Sequence, residues 1–279
     1  MGGAGTAPVK QIAALFLIAC LPVWALLNGA DPNPERLATG GWQPALEGGA
    51  SAMRENPALM GSRAGWEFGA GHTEAFGMEA LPLWSAWGAY ADSAWAVGGW
   101  LREMRAGEVF REDLVLASVA LRRQKWSVGI SGEAVGVAFG QGLGHAWSGD
   151  FSIGAQGRPL PWLSLGAALR QVLQTPVGAS GEGLERDAAV GFAVETRDRR
   201  FATAVSLSGR TNAGDRPTWQ VGQCVRPFPW LSLRGGIRLE PLDLSCGFGL
   251  EWMGAGLDAS WSGEDRLGTQ FALALRWRR

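Results

Sequence analysis

The residues equipped to act on a substrate are few. His72 and His145 are the only histidines of the 279-residue chain, and Cys20, Cys224 and Cys246 its only cysteines. Gly144-His145-Ala146-Trp147-Ser148 sets a serine three residues after a histidine, and a barrel lipase would need that pair joined by an orienting polar group. Nothing in the spacing brings the two side chains together, and a solvated loop is the simpler account. His72 beside Glu74 reads the same way. Two histidines and three cysteines without finger-type spacing make no metal site. Gly140-Gln141-Gly142-Leu143-Gly144 lacks the lysine and the following helix of a phosphate loop. The sequence therefore predicts no enzyme, no cofactor and no metal.

Charges recurring at alternate positions are more informative. Arg102, Arg158, Arg170, Arg210, Arg226, Arg234, Arg238 and Arg276, with Glu67, Glu133, Glu195, Glu240 and Glu251, fall on the polar face of alternating segments. The guanidinium fork pairs bidentately with carboxylates, so these residues predict a cross-braced interior. The functional counterpart is a lining that orders water and screens or contacts a solute. Gly129, Gly154, Gly191, Gly222, Gly247 and Gly249 share that face and would leave room for a plug or a ligand. Cys224 falls on it too and Cys246 on the opposite one, which argues against a disulfide between them.

The elements that position these residues read at period two. From Ala64 onward large apolar residues alternate with small or polar ones, as in Trp126, Val128 and Ile130 against Ser127, Ser131 and Glu133, or Leu244, Cys246, Phe248 and Leu250 against Ser245, Gly247, Gly249 and Glu251. About fourteen such segments are expected, near 64–72, 83–90, 94–102, 114–122, 125–137, 148–158, 161–172, 187–195, 200–209, 217–226, 230–239, 244–253, 256–262 and 269–277. A soluble sandwich would hide its greasy face and show solvent many lysines. This chain has two lysines, only 18% charged residues, 42 glycines and 15 tryptophans. The alternative is a transmembrane antiparallel β-barrel, apolar outside and polar within. Short connectors such as Ala91-Asp92-Ser93 and Arg123-Gln124 alternate with longer ones (73–82, 103–113, 138–147, 173–186, 210–216, 263–268), as periplasmic turns alternate with external loops. Trp66, Trp95, Trp126, Trp147, Trp162, Trp219, Trp230, Trp252, Trp261 and Trp277 fall near segment ends, where an aromatic girdle would meet lipid headgroups. A formal charge of -1 gives nucleic acid no footprint.

Lys10, the apolar run 12–27 and the small residues after it read as a secretory signal peptide over 1–30, with cleavage after Ala25. Leu17-Ile18-Ala19-Cys20 fits a lipoprotein box, but further apolar residues follow it. The organisation expected is a signal peptide (1–30), an N-terminal periplasmic or plug segment (31–62) and a barrel (63–279).

Ser51-Ala52-Met53, then Asn56-Pro57-Ala58 just before the first strand, and the hairpin Arg158-Pro159-Leu160-Pro161-Trp162-Leu163-Ser164-Leu165-Gly166 resemble the bacterial outer-membrane barrel superfamily that includes FadL-type hydrophobic-compound transporters and PorV-type secretion accessories. That hairpin nearly repeats at 226–233, and in both its prolines are expected to end one strand and set the turn, with tryptophan opening the next. The resemblance implies that Asn56, Pro57 and Ala58 belong to a segment folded into the barrel. It implies an outer-membrane location, lipid around the wall and diffusion of a small hydrophobic molecule through the lumen. The alternative it carries is a non-transporting accessory holding a secretion-system protein on loops 103–113 and 173–186.

Overall fold

Alternation makes every segment two-faced, and the chain accommodates this by closing one sheet upon itself. The computed structural model describes residues 33–46, 48–62, 64–74, 81–140, 144–177, 184, 186–210, 216–240, 242–264 and 268–279; the signal-peptide and lipoprotein readings, Cys20 included, lie outside them. The strands are β1 (Gly65–Glu74), β2 (Pro82–Ala91), β3 (Trp95–Ala106), β4 (Phe110–Arg123), β5 (Trp126–Phe139), β6 (Gly144–Leu160) and β7 (Leu163–Arg170). They continue as β8 (Asp187–Glu195), β9 (Phe201–Arg210), β10 (Thr218–Phe228), β11 (Leu231–Leu239), β12 (Asp243–Trp252), β13 (Ala255–Glu264) and β14 (Gly268–Arg278). Each pairs antiparallel with the next, and β14 returns to β1 from Glu67↔Arg278 to Glu74↔Phe271. No edge is left unpaired. Each of the fourteen expected segments is a strand.

Side chains divide as the alternation requires. Trp126, Val128 and Ile130 stand outside, more than half exposed, while Ser127, Ser131 and Glu133 are buried within. Trp66, Trp95, Trp126, Trp162, Trp230, Trp252 and Trp277 ring the short-turn end on the outside; Trp84, Trp147, Trp219 and Trp261 ring the other. Trp66 packs on Phe68 and Tyr90, and Tyr90 on Trp95, so the aromatics form a contiguous surface there.

Local features differ from the sequence reading: Gly144–Ser148 and His72, expected in solvated loops, lie in β6 and β1. The 103–113 connector is mostly strand, since β3 and β4 run on to a turn at 107–109 where Gly107 takes φ +57°. The first proline of each repeated hairpin marks a bulge and not the turn: registers shift between Gly157 and Leu160 and between Val225 and Phe228, where Pro159 and Pro227 have no N–H to give the ladder. Glu240, expected inside, is exposed on the β11–β12 connector at φ +62°.

The interior also departs from a uniformly polar lumen. On β2–β5 the inward positions Leu83, Trp87, Trp100, Met104, Phe110, Leu114, Leu116, Val135 and Val137 are buried and form one apolar cluster. Residues 33–46 and 48–62 lie against the inner wall, with a five-residue helix α1 (Pro34–Ala38) and two 3-10 turns, Ala50–Arg54 and Pro57–Ser62. Among the described residues no helix is long and apolar enough to cross a membrane.

If the outer face meets lipid, Ile130→Arg should lower unfolding stability in lipid vesicles by about 2–4 kcal/mol, the cost of a midplane arginine on a barrel wall. Urea titration of the vesicle-inserted protein measures this. An unchanged midpoint would mean that the exposed apolar band faces water.

Candidate functional site

The bore of a closed sheet has a set width, so a segment entering it needs space, and inward glycines supply it. A side-chain carbon on Gly129 would sit 2.6 Å from the Pro57 carbonyl carbon, and one on Gly154 would overlap the Asn56 carboxamide. Gly166 stands against Pro44, Gly222 against Thr39, Gly236 against Gly40, and Gly247 against Ala38. The groove crosses β5, β6, β7, β10, β11 and β12. Of the six glycines singled out by pattern, Gly129, Gly154, Gly222 and Gly247 contact the inserted segment. Gly191 meets only the adjoining wall, and Gly249 gives space to Asp258, Ser232 and Arg234.

Asn56 fixes the segment in this groove. Fully buried, it donates from Nδ2 to the Pro44 carbonyl (2.8 Å) and to the Ala155 carbonyl of β6 (3.1 Å), and its Oδ1 accepts from the Ala58 N–H (3.0 Å). Pro57 opens the second 3-10 turn, where a missing N–H costs nothing. The Ala58 carbonyl accepts from Ser127 Oγ at 2.8 Å.

Charges hold the other end. Asn33 caps α1, its Oδ1 accepting from the Glu35 N–H at 3.0 Å, and Gly40 (φ +81°) and Gly41 (φ +110°) turn the chain away after it. Glu35 then reaches Arg234 of β11 (2.8 Å) and Arg276 of β14. Both arginines also hold Asp258 of β13, at 2.8 and 3.2 Å. Arg276 continues to Glu251 (3.4 Å), Glu251 to Arg278 (3.5 Å), and Arg278 to Glu67 (2.7 Å), whose second oxygen accepts from the Ala50 N–H of the first 3-10 turn (3.0 Å). The inserted segment is thus part of the wall's ion-pair chain.

The remaining sequence-predicted residues form separate groups. Arg158 and Arg226 share Glu195 at 3.3 and 3.6 Å. Arg170 pairs with Asp187 at 2.7 Å and lies 4.0 Å above the Trp42 ring, whose Nε1 donates to the Glu55 carbonyl; Arg210 approaches Asp187 at 3.9 Å. Arg238 pairs with Asp243 at 3.1 Å. Arg102 pairs with Glu112 within the apolar wall, both fully buried. Glu133 is buried on β5. Pattern reading missed Glu35, Glu112, Asp187, Asp243, Asp258 and Arg278; the five strand residues share the inward parity that located the arginines, and nothing in the sequence marks Glu35. Ser148 and His145 lie on opposite faces of β6: Ser148 is buried and donates to Thr175, and His145 is exposed. His72 stacks on Trp84 on the outer face. Cys224 is buried and Cys246 exposed.

Between the inserted segment and β6–β11, at the short-turn end, is a small open cleft lined by Leu46, Ala193, Ala202 and Cys224 with Arg158, Glu195, Arg226, Glu35 and Arg234. At the other end stands the apolar wall of β2–β5, against which Met53 and Met60 of the segment are packed. The apolar lining of the long-connector end is confined to β2–β5; across the bore the same end carries Arg170, Asp187, Arg210, Arg238 and Asp243.

No protein-family model matches the chain, and no curated protein sequence matches it. Its architecture is shared with solved structures. The Ralstonia pickettii toluene transporter TbuX is 17% identical, with 90% of this chain and 99% of that chain covered and a TM-score of 0.68. The Pseudomonas putida toluene transporter TodX is 14% identical over 88% of this chain and 97% of that chain, with a TM-score of 0.65. A Pseudomonas aeruginosa FadL homologue is 12% identical over 86% and 97%, with a TM-score of 0.56. The likeness establishes the fold: the chain has the architecture of FadL-type barrels.

Two variants test the seating of the segment. Gly154→Val should displace the Asn56-Pro57-Ala58 turn, so that limited proteolysis cuts within 33–62 while the barrel keeps its heat-dependent gel mobility. Glu35→Gln leaves Arg234 and Arg276 short of a partner and should cost about 3 kcal/mol in urea unfolding, typical of a broken buried pair. Proteolysis and unfolding unchanged in both would show that the segment does not depend on these contacts.

Proposed function

We propose that this chain is a bacterial outer-membrane barrel that lets a small hydrophobic molecule diffuse across the membrane, its short turns in the periplasm and its longer connectors outside. The observation that carries the reading is the apolar inner wall of β2–β5. A water-filled porin lines its bore with polar groups; nine large apolar residues facing inward would instead offer a solute a dry surface. The exposed apolar band and its two rings of tryptophan support the membrane location. The named neighbours include two toluene transporters, which supports a small hydrocarbon as the class of solute.

The passage follows from the geometry. A molecule enters at the long-connector end, partitions onto the β2–β5 wall, and meets the inserted segment at Met53 and Met60. Release requires that segment to shift in its glycine groove or the wall to part beside it, and the cleft beside β6–β11 lies on the far side. No covalent step is involved. The secretion-accessory reading has less to stand on: its first docking loop, 103–113, is a tight strand hairpin, and the solved structures named above are transporters and a FadL homologue. A lipid enzyme would need Ser148 and His145 on one face.

Cells lacking their own hydrocarbon uptake and expressing this chain should take up toluene faster than cells carrying an empty vector. Leu116→Asp places a carboxylate on the apolar wall and should slow uptake by roughly ten-fold, equivalent to ~1.4 kcal/mol of lost partitioning, without changing heat-dependent mobility. Equal uptake with and without the chain would overturn the reading.

A further inference from the structure

The short-turn end carries a charge imbalance that passage does not use. Arg123 and Lys125 flank the β4–β5 turn, and Arg197, Arg199 and Arg200 occupy the β8–β9 turn, all five exposed. Along this arc Asp198 is the only exposed acid among the described residues. It is already engaged: it accepts from the Thr196 hydroxyl (2.6 Å) and the Arg200 N–H (3.2 Å), which hold its carboxyl below the usual carboxylate range. Arg226 of the neighbouring β10 donates to the Arg199 carbonyl at 3.0 Å and pairs with Glu195, which steadies the turn without adding net charge. At the opposite rim exposed charges balance, with Arg105, Arg111 and Arg216 against Glu74, Glu108 and Glu240 among the described residues.

The setting of these cations identifies what they would meet. Arg123 lies on the outer face, register-paired with the exposed Trp126, and Leu121 and Val128 stand outward directly above. Phe201 follows Arg200 on the outer face. Each basic turn thus adjoins an aromatic residue and then an apolar strip. An acidic protein beneath the barrel would use the charges and leave the strip unused; a lipid uses both, phosphate against arginine and acyl chain along the wall.

We infer that the β4–β5 and β8–β9 turns form a site for anionic phospholipid, which the barrel would gather around one side of its periplasmic rim. The inference rests on the outer-membrane reading given above. The mature chain, inserted in vesicles of phosphatidylcholine with added brominated phosphatidylglycerol or brominated phosphatidylcholine, reports the lipid beside its tryptophans through fluorescence quenching. Brominated phosphatidylglycerol should quench several-fold more strongly than the neutral lipid at equal fraction. The preference should fall as salt rises from roughly 0.05 to 0.5 M, as screening of exposed charges requires. It should be lost in the R123Q/K125Q/R197Q/R199Q/R200Q variant. Equal quenching by both lipids, a preference that survives high salt, or one that persists in the variant each overturns the inference; the salt series on the unaltered chain decides it even if the variant does not insert. Heat-dependent gel mobility of the same vesicles separates the two readings: a chain that never inserts has failed as a membrane barrel, and one that inserts without preference has failed only here.

Discussion

A sheet closed on itself satisfies every ladder hydrogen bond and, in doing so, fixes the width of its own interior. Fourteen strands enclose more space than their inward serines and glycines fill, and the chain occupies the difference with its own residues 33–62. The glycine groove, the Asn56 anchor and the Glu35 ion pairs all follow from that one requirement. A void would forfeit contacts on every side, while an over-filled bore would force the wall apart. The inward glycines are therefore complementary to the inserted segment, one surface cut to the other.

The two halves of the wall meet that segment with different physics. On β11–β14 and β1 it is held by alternating charges, Asp258, Arg234, its own Glu35, Arg276, Glu251, Arg278 and Glu67 in sequence, each with a partner of opposite sign. On β2–β5 it is held by Met53 and Met60 against leucine, valine and indole. Ion pairs are directional and fix register; apolar contacts are not directional and tolerate sliding. The segment is thus pinned on one side and free to be exchanged for another apolar surface on the other.

How much of this the sequence disclosed varies with the element. All fourteen strands were legible, because a two-residue period with one greasy face survives without tertiary context. Inward parity likewise located Arg102, Arg158, Arg234 and Arg276. The apolar inner wall was not foreseen, although Leu114-Val115-Leu116 carries its signal: three consecutive large residues leave no polar face, so the inward side must be apolar as well as the exposed one that Val115 occupies. Glu35 was illegible for a different reason. Its role is set by Arg234 and Arg276, some two hundred residues away, and no local pattern distinguishes it from a solvated helix residue. The hairpin prolines show the same limit on a smaller scale, since both readings need a missing N–H and only the register tells bulge from turn.

Glu67 sits where three parts of the chain meet: it belongs to β1, takes Arg278 from β14 and accepts the Ala50 N–H from the inserted segment. Ala50 is among the earliest of the described residues and Arg278 among the last. The seam between first and last strand therefore completes after everything else has been laid down, and it completes around a segment whose contacts run from β1 to β14. Glu67 therefore joins the closure of the sheet to the seating of the segment: the β1–β14 pairing and the hold on Ala50 share one carboxylate.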